Sequence, residues 1–316
     1  MIIKRSIFPL VREAVYGEKR VILLYGPRQA GKTTLLNSLA EEIPANEQVF
    51  LTGDDFQVQE IFSQPILDNL KKVVGGKKYL FLDEAQRIEN IGLTLKLLTD
   101  NLSLQILASG SSSLDLAGKV SEPLTGRTKT YFLYPLAWEE APFSPLANIN
   151  DKIEQCLRFG AYPKVMTLES EKEKENYLTE LINNYLYKDI LTFENVRKPK
   201  KVVDLLSLLA LQIGSEVSIF ELSKSLSLSK IIVEKYLDLL EKMYVIYNLR
   251  GFSRNLRKEI TKTSKYYFYD LGLRNALIRN FNPLNLRQDT GALFENFVIV
   301  ERMKSLSFRQ EFANFY

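Results

Sequence analysis

Between the apolar run Val21-Ile22-Leu23-Leu24-Tyr25 and the helix-prone run Thr34 to Glu42 stands Gly26-Pro27-Arg28-Gln29-Ala30-Gly31-Lys32-Thr33. This is a complete G-x-x-x-x-G-K-T phosphate loop. It works only if a strand delivers it and a helix leaves it, because backbone N–H groups and the helix dipole must converge on the phosphates. Both flanks are present, so the chain is expected to be α/β and to hold a nucleoside triphosphate. Gly26 and Gly31 permit backbone angles and close approaches that a Cβ would obstruct, and Lys32 carries a point charge to the β- and γ-phosphates. Thr33 is expected to hold Mg²⁺ through its hydroxyl. Pro27, Gln29, Ala30 and the following Thr34 complete the nucleotide-binding stretch. Arg28 either reaches a phosphate or pairs with an acidic neighbour outside the site.

Some fifty residues on, Tyr79-Leu80-Phe81-Leu82-Asp83-Glu84 reads as a buried parallel strand ending in two carboxylates, a Walker B pattern. Asp83 is placed to reach Mg²⁺, and Glu84 to polarise an attacking water. The second carboxylate is what points to hydrolysis and not to binding alone. A further apolar strand, Leu104 to Ser109, ends in Gly110-Ser111-Ser112-Ser113. A hydroxyl at that tip, Ser109 or Ser111, either contacts the γ-phosphate or the lytic water, or only forms a turn. Downstream, Arg127 follows Gly126. It either stabilises transition-state charge, from its own subunit or a neighbour's, or is an ordinary surface arginine.

Strands near 21–25, 48–52, 79–83, 104–109 and 130–133 alternate with helices, as a parallel sheet with helices on both faces requires. A leading helix is expected over 7–17. The nucleotide-binding part is assigned to residues 1–141. Pro142, Pro145 and the polar Asn148-Ile149-Asn150-Asp151 mark a boundary. Helical segments near 151–159 and 172–193 then suit a lid over 142–197. The alternating charges Glu169 to Glu175 are most simply a solvated helix start.

From Lys201 the pattern becomes three short helices and a strand pair: Val202 to Ile213, Ile219 to Leu226 capped by Ser218 with Glu221 three residues on, and Ser229 to Met243. This is a helix-turn-helix signature with wing strands at 244–249 and 265–269, and it assigns 198–280 to a winged-helix domain. The stripe Ile232, Tyr236, Leu239, Leu240, Met243 is read as core. Between the wing strands Arg250, Arg254, Arg257, Lys258, Lys262 and Lys265 face one acid, Glu259. Together with Lys230 they suit phosphate contacts to double-stranded DNA. The third helix carries Lys230, Lys235 and Lys242 but also Glu234, Asp238 and Glu241, so packing against a protein remains an equal alternative.

The chain has 316 residues, 46% of them apolar, which supports a substantial core in two or three domains. It has no histidine, which excludes Ser-His and Cys-His nucleophile pairs and histidine-ligated zinc. Its one cysteine, Cys156, forms no internal disulfide and is read as a small core residue. The net charge of +4 does not by itself indicate nucleic acid. With no uncharged run of about 20 residues, a cytoplasmic location is expected.

The segments Leu24 to Thr34, Phe81 to Arg87 and Ser109 to Ser113 resemble the prokaryotic AAA+-type, archaeal-ATPase-like P-loop ATPases. So do Leu124 to Arg127, Tyr134-Pro135-Leu136, Phe159 to Pro163, Tyr187 to Ile190 and Phe268 to Arg274. The resemblance implies an AAA+-like ATPase core, a helical lid, a winged helix and then a restriction-endonuclease-like domain. Purine specificity, and hence ATP, is also implied by it, in keeping with the lack of a guanine-reading Asn-Lys-x-Asp segment. Gly291 to Glu301 resembles the helix that opens the nuclease-like domain, and Ala313 to Tyr316 the start of its first core strand, so 281–316 is assigned to a truncated piece of it. The acidic residue and Glu-x-Lys pair that follow in the family have no counterpart here, and Glu295 or Glu301 alone cannot hold a multidentate Mg²⁺. Nuclease activity is therefore not expected. Two readings stand: an ATP hydrolase that, as a homo-oligomer whose subunits complete one another's sites through Arg127, repositions a DNA-binding domain, and a slow ATP/ADP switch whose winged helix binds protein.

Overall fold

The computed structural model describes residues 2–17, 20–111, 124, 126–187, 190, 198–250 and 264–311. Ser112, Ser113, Arg254, Arg257, Lys258, Glu259, Lys262 and Ala313 to Tyr316, all singled out above, lie outside the described residues. The chain divides into two compact units, Ile2–Tyr134 and Pro135–Tyr316. The division falls at Tyr134, ahead of the expected boundary at 141–142.

The first unit runs α1 (Phe8–Tyr16), β1 (Val21–Tyr25), α2 (Lys32–Ala40), β2 (Gln48–Thr52), α3 (Phe56–Ser63), α4 (Leu67–Val74), β3 (Tyr79–Asp83), α5 (Ile91–Asn101), β4 (Gln105–Gly110) and β5 (Thr128–Phe132). Five strands form one parallel sheet in the order β2-β3-β4-β1-β5. Burial follows that order. Every residue of β1 and β4 is buried, while the edge strands β2 and β5 are mostly half-exposed. Continuous apolar runs such as Val21-Ile22-Leu23-Leu24 therefore mark the centre of the sheet, where each fully buried aliphatic side chain contributes about 1.5–3 kcal/mol. All five strands point the same way, so the turns after β1, β3 and β4 gather at one edge.

The second unit begins with α6 (Ile149–Phe159), α7 (Pro163–Thr167) and α8 (Glu171–Leu181), continued by a wider π turn over Ile182–Leu186. Asn148 caps α6 and a Ser170/Glu173 capping box starts α8, so the charged run at 169–175 is a helix start. There follow α9 (Pro199–Leu211), β6 (Glu216–Val217), α10 (Ile219–Leu226), α11 (Lys230–Lys242), β7 (Ile246–Arg250), β8 (Ser264–Phe268), α12 (Leu271–Leu277) and α13 (Thr290–Arg309). The strands form an antiparallel sheet in the order β6-β8-β7. Ser218 and Ser229 cap α10 and α11. Tyr236, Leu239, Leu240 and Met243 are buried as read, but Ile232, in the first turn of α11, is 37% exposed. Cys156 is buried, and burial pushes its thiol up to about 12, so it is an inert core residue. Among the described residues no helix is long and apolar enough to cross a membrane.

Candidate nucleotide site

The loop Gly26–Gly31 leaves β1 and enters α2 with backbone angles that its residue types allow. Gly26 has φ 155° and Gly31 φ 99°, and a Cβ on Gly26 would overlap the Leu133 carbonyl. Leu133 N–H also donates to Tyr25 O at 2.7 Å, so the segment after β5 fixes the start of the loop. Its end is fixed by Arg5. The guanidinium donates to Ala30 O and to Tyr134 O, both at 2.7 Å, from a position well ahead of the motif in sequence. Lys32 is 4% exposed and curls back over the loop, donating to Gly26 O at 2.9 Å and Pro27 O at 2.8 Å. Its ammonium thus lies inside the curve of the loop, where the motif requires the positive charge.

The Walker B strand meets this loop directly. Thr33 Oγ1 donates to Asp83 Oδ2 at 2.6 Å, bringing the two expected metal ligands from fifty residues apart into contact. The other carboxylate oxygen, Asp83 Oδ1, accepts from the Ser109 hydroxyl at the end of β4. Ser109 in turn accepts from Glu84 N–H at 3.3 Å and is fully buried. The Ser109 hydroxyl, read as a contact to phosphate or water or as a turn, thus orients Asp83, a placement that follows from β3 and β4 being neighbours in the sheet. Ser111 lies just beyond, where its Oγ accepts from Gln86 Nε2 at 3.0 Å.

Glu84 is half-buried at the tip of β3, with φ 49° and ψ 38°, a left-handed conformation uncommon outside glycine. Its carboxylate accepts from Gln86 Nε2 at 2.6 Å. Gly53, after β2, lets this turn close: its N–H donates to Asp83 O at 2.8 Å, and a Cβ there would overlap the Glu84 carbonyl. Gly53, Arg5 and Gln86 were not given roles from sequence. Gly53 had a faint signal as a glycine ending a strand, and Gln86 as the neighbour of two functional carboxylates. Arg5 had none, since its partners are long-range backbone carbonyls.

Arg127 is not in this site. It immediately precedes β5, where Val21 N–H donates to its carbonyl at 2.9 Å, so it lies at the sheet edge opposite the loop. Five residues at about 3.3 Å each separate the two edges, roughly 16 Å. Its side chain is half-exposed and ion-paired with Asp100. A role for Arg127 in its own subunit's site is thereby withdrawn. Arg28 is half-buried in the loop, and Gln29, at φ 63°, is exposed beside it; Thr34 is exposed on α2.

Residues 18–141 match the family model for an AAA domain. That span takes in the whole five-stranded sheet of the first unit. Beyond it, residues 150–284 match a domain of unknown function, DUF8612. Among curated relatives, an uncharacterized protein of Methanocaldococcus jannaschii is 24% identical over 303 residues, covering 89% of this chain and 66% of its own length. One from Mycobacterium tuberculosis is 29% identical over 284 residues, covering 88% and 61%. The chain thus spans 61–66% of the length of these relatives. AMPPCP-bound DnaA from Aquifex aeolicus aligns with 76% of this chain and 89% of its own, at 19% identity and TM-score 0.35. The Gly26–Thr33 loop and Asp83 lie within the span that the AAA-domain model matches.

In the second unit, Lys230 Nζ lies 5.0 Å from the centroid of the Phe220 ring, and Arg250 is exposed at the end of β7. Lys265 is paired with Glu295 at 2.9 Å. Glu295 also accepts from Tyr267 Oη, and Glu301 from Trp138 N–H and Lys304. Among the described residues no group of three or more His, Cys, Asp or Glu is arranged to hold a metal ion.

Proposed function

We propose that this chain binds ATP with Mg²⁺ and hydrolyses it, and that nucleotide state is coupled to a winged-helix part at 198–280 that binds duplex DNA. The observation that carries the hydrolytic reading is the 2.6 Å contact between Thr33 and Asp83, with Glu84 next along the chain. A hydroxyl and a carboxylate form the hard-oxygen donor set that suits Mg²⁺, and Thr33 and Asp83 would hold it. Bound there, the ion would supply charge neutralisation for the phosphates. The chain's own groups do the rest. Loop N–H groups grip the phosphates, and Lys32 exchanges its carbonyl partners for phosphate oxygens. Glu84 orients a water and takes its proton as the water oxygen bonds to the γ-phosphorus and the bond to the ADP oxygen breaks. Arg127, at the far edge of its own sheet, is assigned to the site of a neighbouring copy. The test is phosphate release by the purified chain with Mg-ATP, compared with the Glu84→Gln variant and with and without duplex DNA. Stimulation by DNA supports the coupled reading.

One observation favours a protein as the ligand of the second unit. Around the start of α11, Phe220 is 60% and Ile231 65% exposed, beside exposed Lys230, Glu234, Lys235 and Asp238. That surface is apolar and charge-balanced, whereas a polyanion favours excess positive charge. If DNA binds, replacing Arg254, Arg257 and Lys258 by alanine should weaken it on all sequences alike and lower the salt slope by roughly one unit per contact. Failure of the unmutated chain to bind duplex at low salt, with or without ATP, would hand the surface to a protein partner.

A further inference from the structure

Gln86 lies two residues beyond Glu84, in the short 3-10 turn Ala85–Arg87, and is 7% exposed. Its amide nitrogen donates to Glu84 Oε2 at 2.6 Å and to Ser111 Oγ at 3.0 Å. The orientation of the amide follows from chemistry: an ionised carboxylate offers no proton, so the NH₂ end must face it. One hydrogen goes to the carboxylate and the other to the hydroxyl. Glu84 itself is held in a left-handed backbone conformation, of the kind that persists where surrounding structure over-determines it and that clusters at functional sites. That surrounding structure comes from the two strand tips flanking β3: Gly53 after β2, and at the tip of β4 Ser109 and, through Gln86, Ser111.

We propose that Gln86 is the positioning residue of the hydrolytic centre, tying the Glu84 carboxylate to the tip of β4 so that the direction in which the base points is set by Ser111. The inference rests on the reading of Glu84 as the water-activating base. A carboxylate on a surface turn would otherwise sample several rotamers, and a positioned general base contributes a factor of roughly 10²–10⁴ to a rate. Ser111 anchors the far side of the amide, so a change at the β4 tip is relayed to the base without any contact between Ser111 and Glu84.

Gln86→Met keeps the length and the apolar bulk of the buried side chain and removes the amide, and with it both hydrogen bonds to Glu84 and Ser111. It should lower kcat for ATP at least tenfold, while affinity for a non-hydrolysable ATP analogue and the Tm stay at the unmutated values. Affinity for ADP–aluminium fluoride, which mimics the state in which the water is aligned, should fall about as much as kcat. Adding Gln86→Met to Glu84→Gln should produce no further loss, because the amide acts only through the carboxylate. Unmutated kcat and aluminium-fluoride affinity in Gln86→Met would overturn the proposal. So would equal losses of analogue affinity, Tm and kcat, which mark a packing role. Failure of the underlying reading looks different: Glu84→Gln would turn over ATP as fast as the unmutated chain, whatever Gln86→Met does.

Discussion

Thr33 Oγ1 donates to Asp83 Oδ2 at 2.6 Å. The hydroxyl at the start of α2 and the carboxylate that closes β3 thus hold each other, and in the proposed reaction these two groups would hold the magnesium ion, which would supply charge neutralisation. Ser109 clamps the second Asp83 oxygen, so the carboxylate is fixed on both sides. The parts of the site can be removed one at a time.

Removing the hydroxyl alone, with Thr33→Val, should leave the fold intact because the side chain is exposed and isosteric. Magnesium should then no longer strengthen nucleotide binding, and turnover should fall by about two orders of magnitude, the scale seen when one charge-stabilising group is lost. Titration of fluorescent ATP with and without Mg²⁺ reads the first effect, and phosphate release the second.

Lys32→Ala should abolish measurable nucleotide binding. The ammonium sits within the loop on Gly26 O and Pro27 O, and no other loop residue offers a comparable buried positive charge. Calorimetry is the check. The variant should fold with a Tm lowered by several degrees, since the two hydrogen bonds to Gly26 O and Pro27 O contribute about 1 kcal/mol each.

Gly53→Ala tests the turn that presents Glu84. The added methyl meets the Glu84 carbonyl, a backbone atom that cannot swing aside. Overpacking of this kind costs about 1–3 kcal/mol. Denaturant unfolding should register that loss, and turnover should fall more than nucleotide affinity because the displaced group is the base and not the loop.

In the second unit the acid limb of stability should follow Asp289. Buried Arg274 and Arg287 both donate to its carboxylate and, with the Arg287 hydrogen bond the larger influence, hold it at about 2, below its ordinary 3.8. A depressed folded-state value means that the unfolded chain binds the proton first. The stabilisation is therefore complete above pH 4 and is lost as pH falls toward 2. Asp289→Asn should flatten that limb and cost about 2–3 kcal/mol at neutral pH, because two guanidiniums lose their counter-charge. Urea melts across pH 2–7 measure both.

The nucleotide site was legible wherever its chemistry is local. Gly26 to Thr33, Asp83 and Glu84 announce themselves because the phosphate loop and the acidic strand end are contiguous motifs, and the central strands because continuous apolar runs are buried on both faces. What was not legible is long-range. Arg5 reaches Tyr134 O across 129 residues, and the bond from the Ser109 hydroxyl to Asp83 depends on which strands are neighbours in the sheet. The strand register, which sequence does not reveal, put Arg127 at the wrong edge for its own site. Helical period marked Ile232 as core, but the period says nothing about where along a helix the packing begins, and the first turn of α11 is exposed.

In the proposed reaction Glu84 is the base that activates water for ATP hydrolysis. The direct test is single-turnover conversion of bound ATP to ADP by the unmutated chain and by Glu84→Gln, at matched occupancy. Conversion by the unmutated chain should be slowed at least a hundredfold in the variant, with ATP affinity unchanged, since Glu84 acts only on the water. Equal conversion rates at equal occupancy would contradict the account.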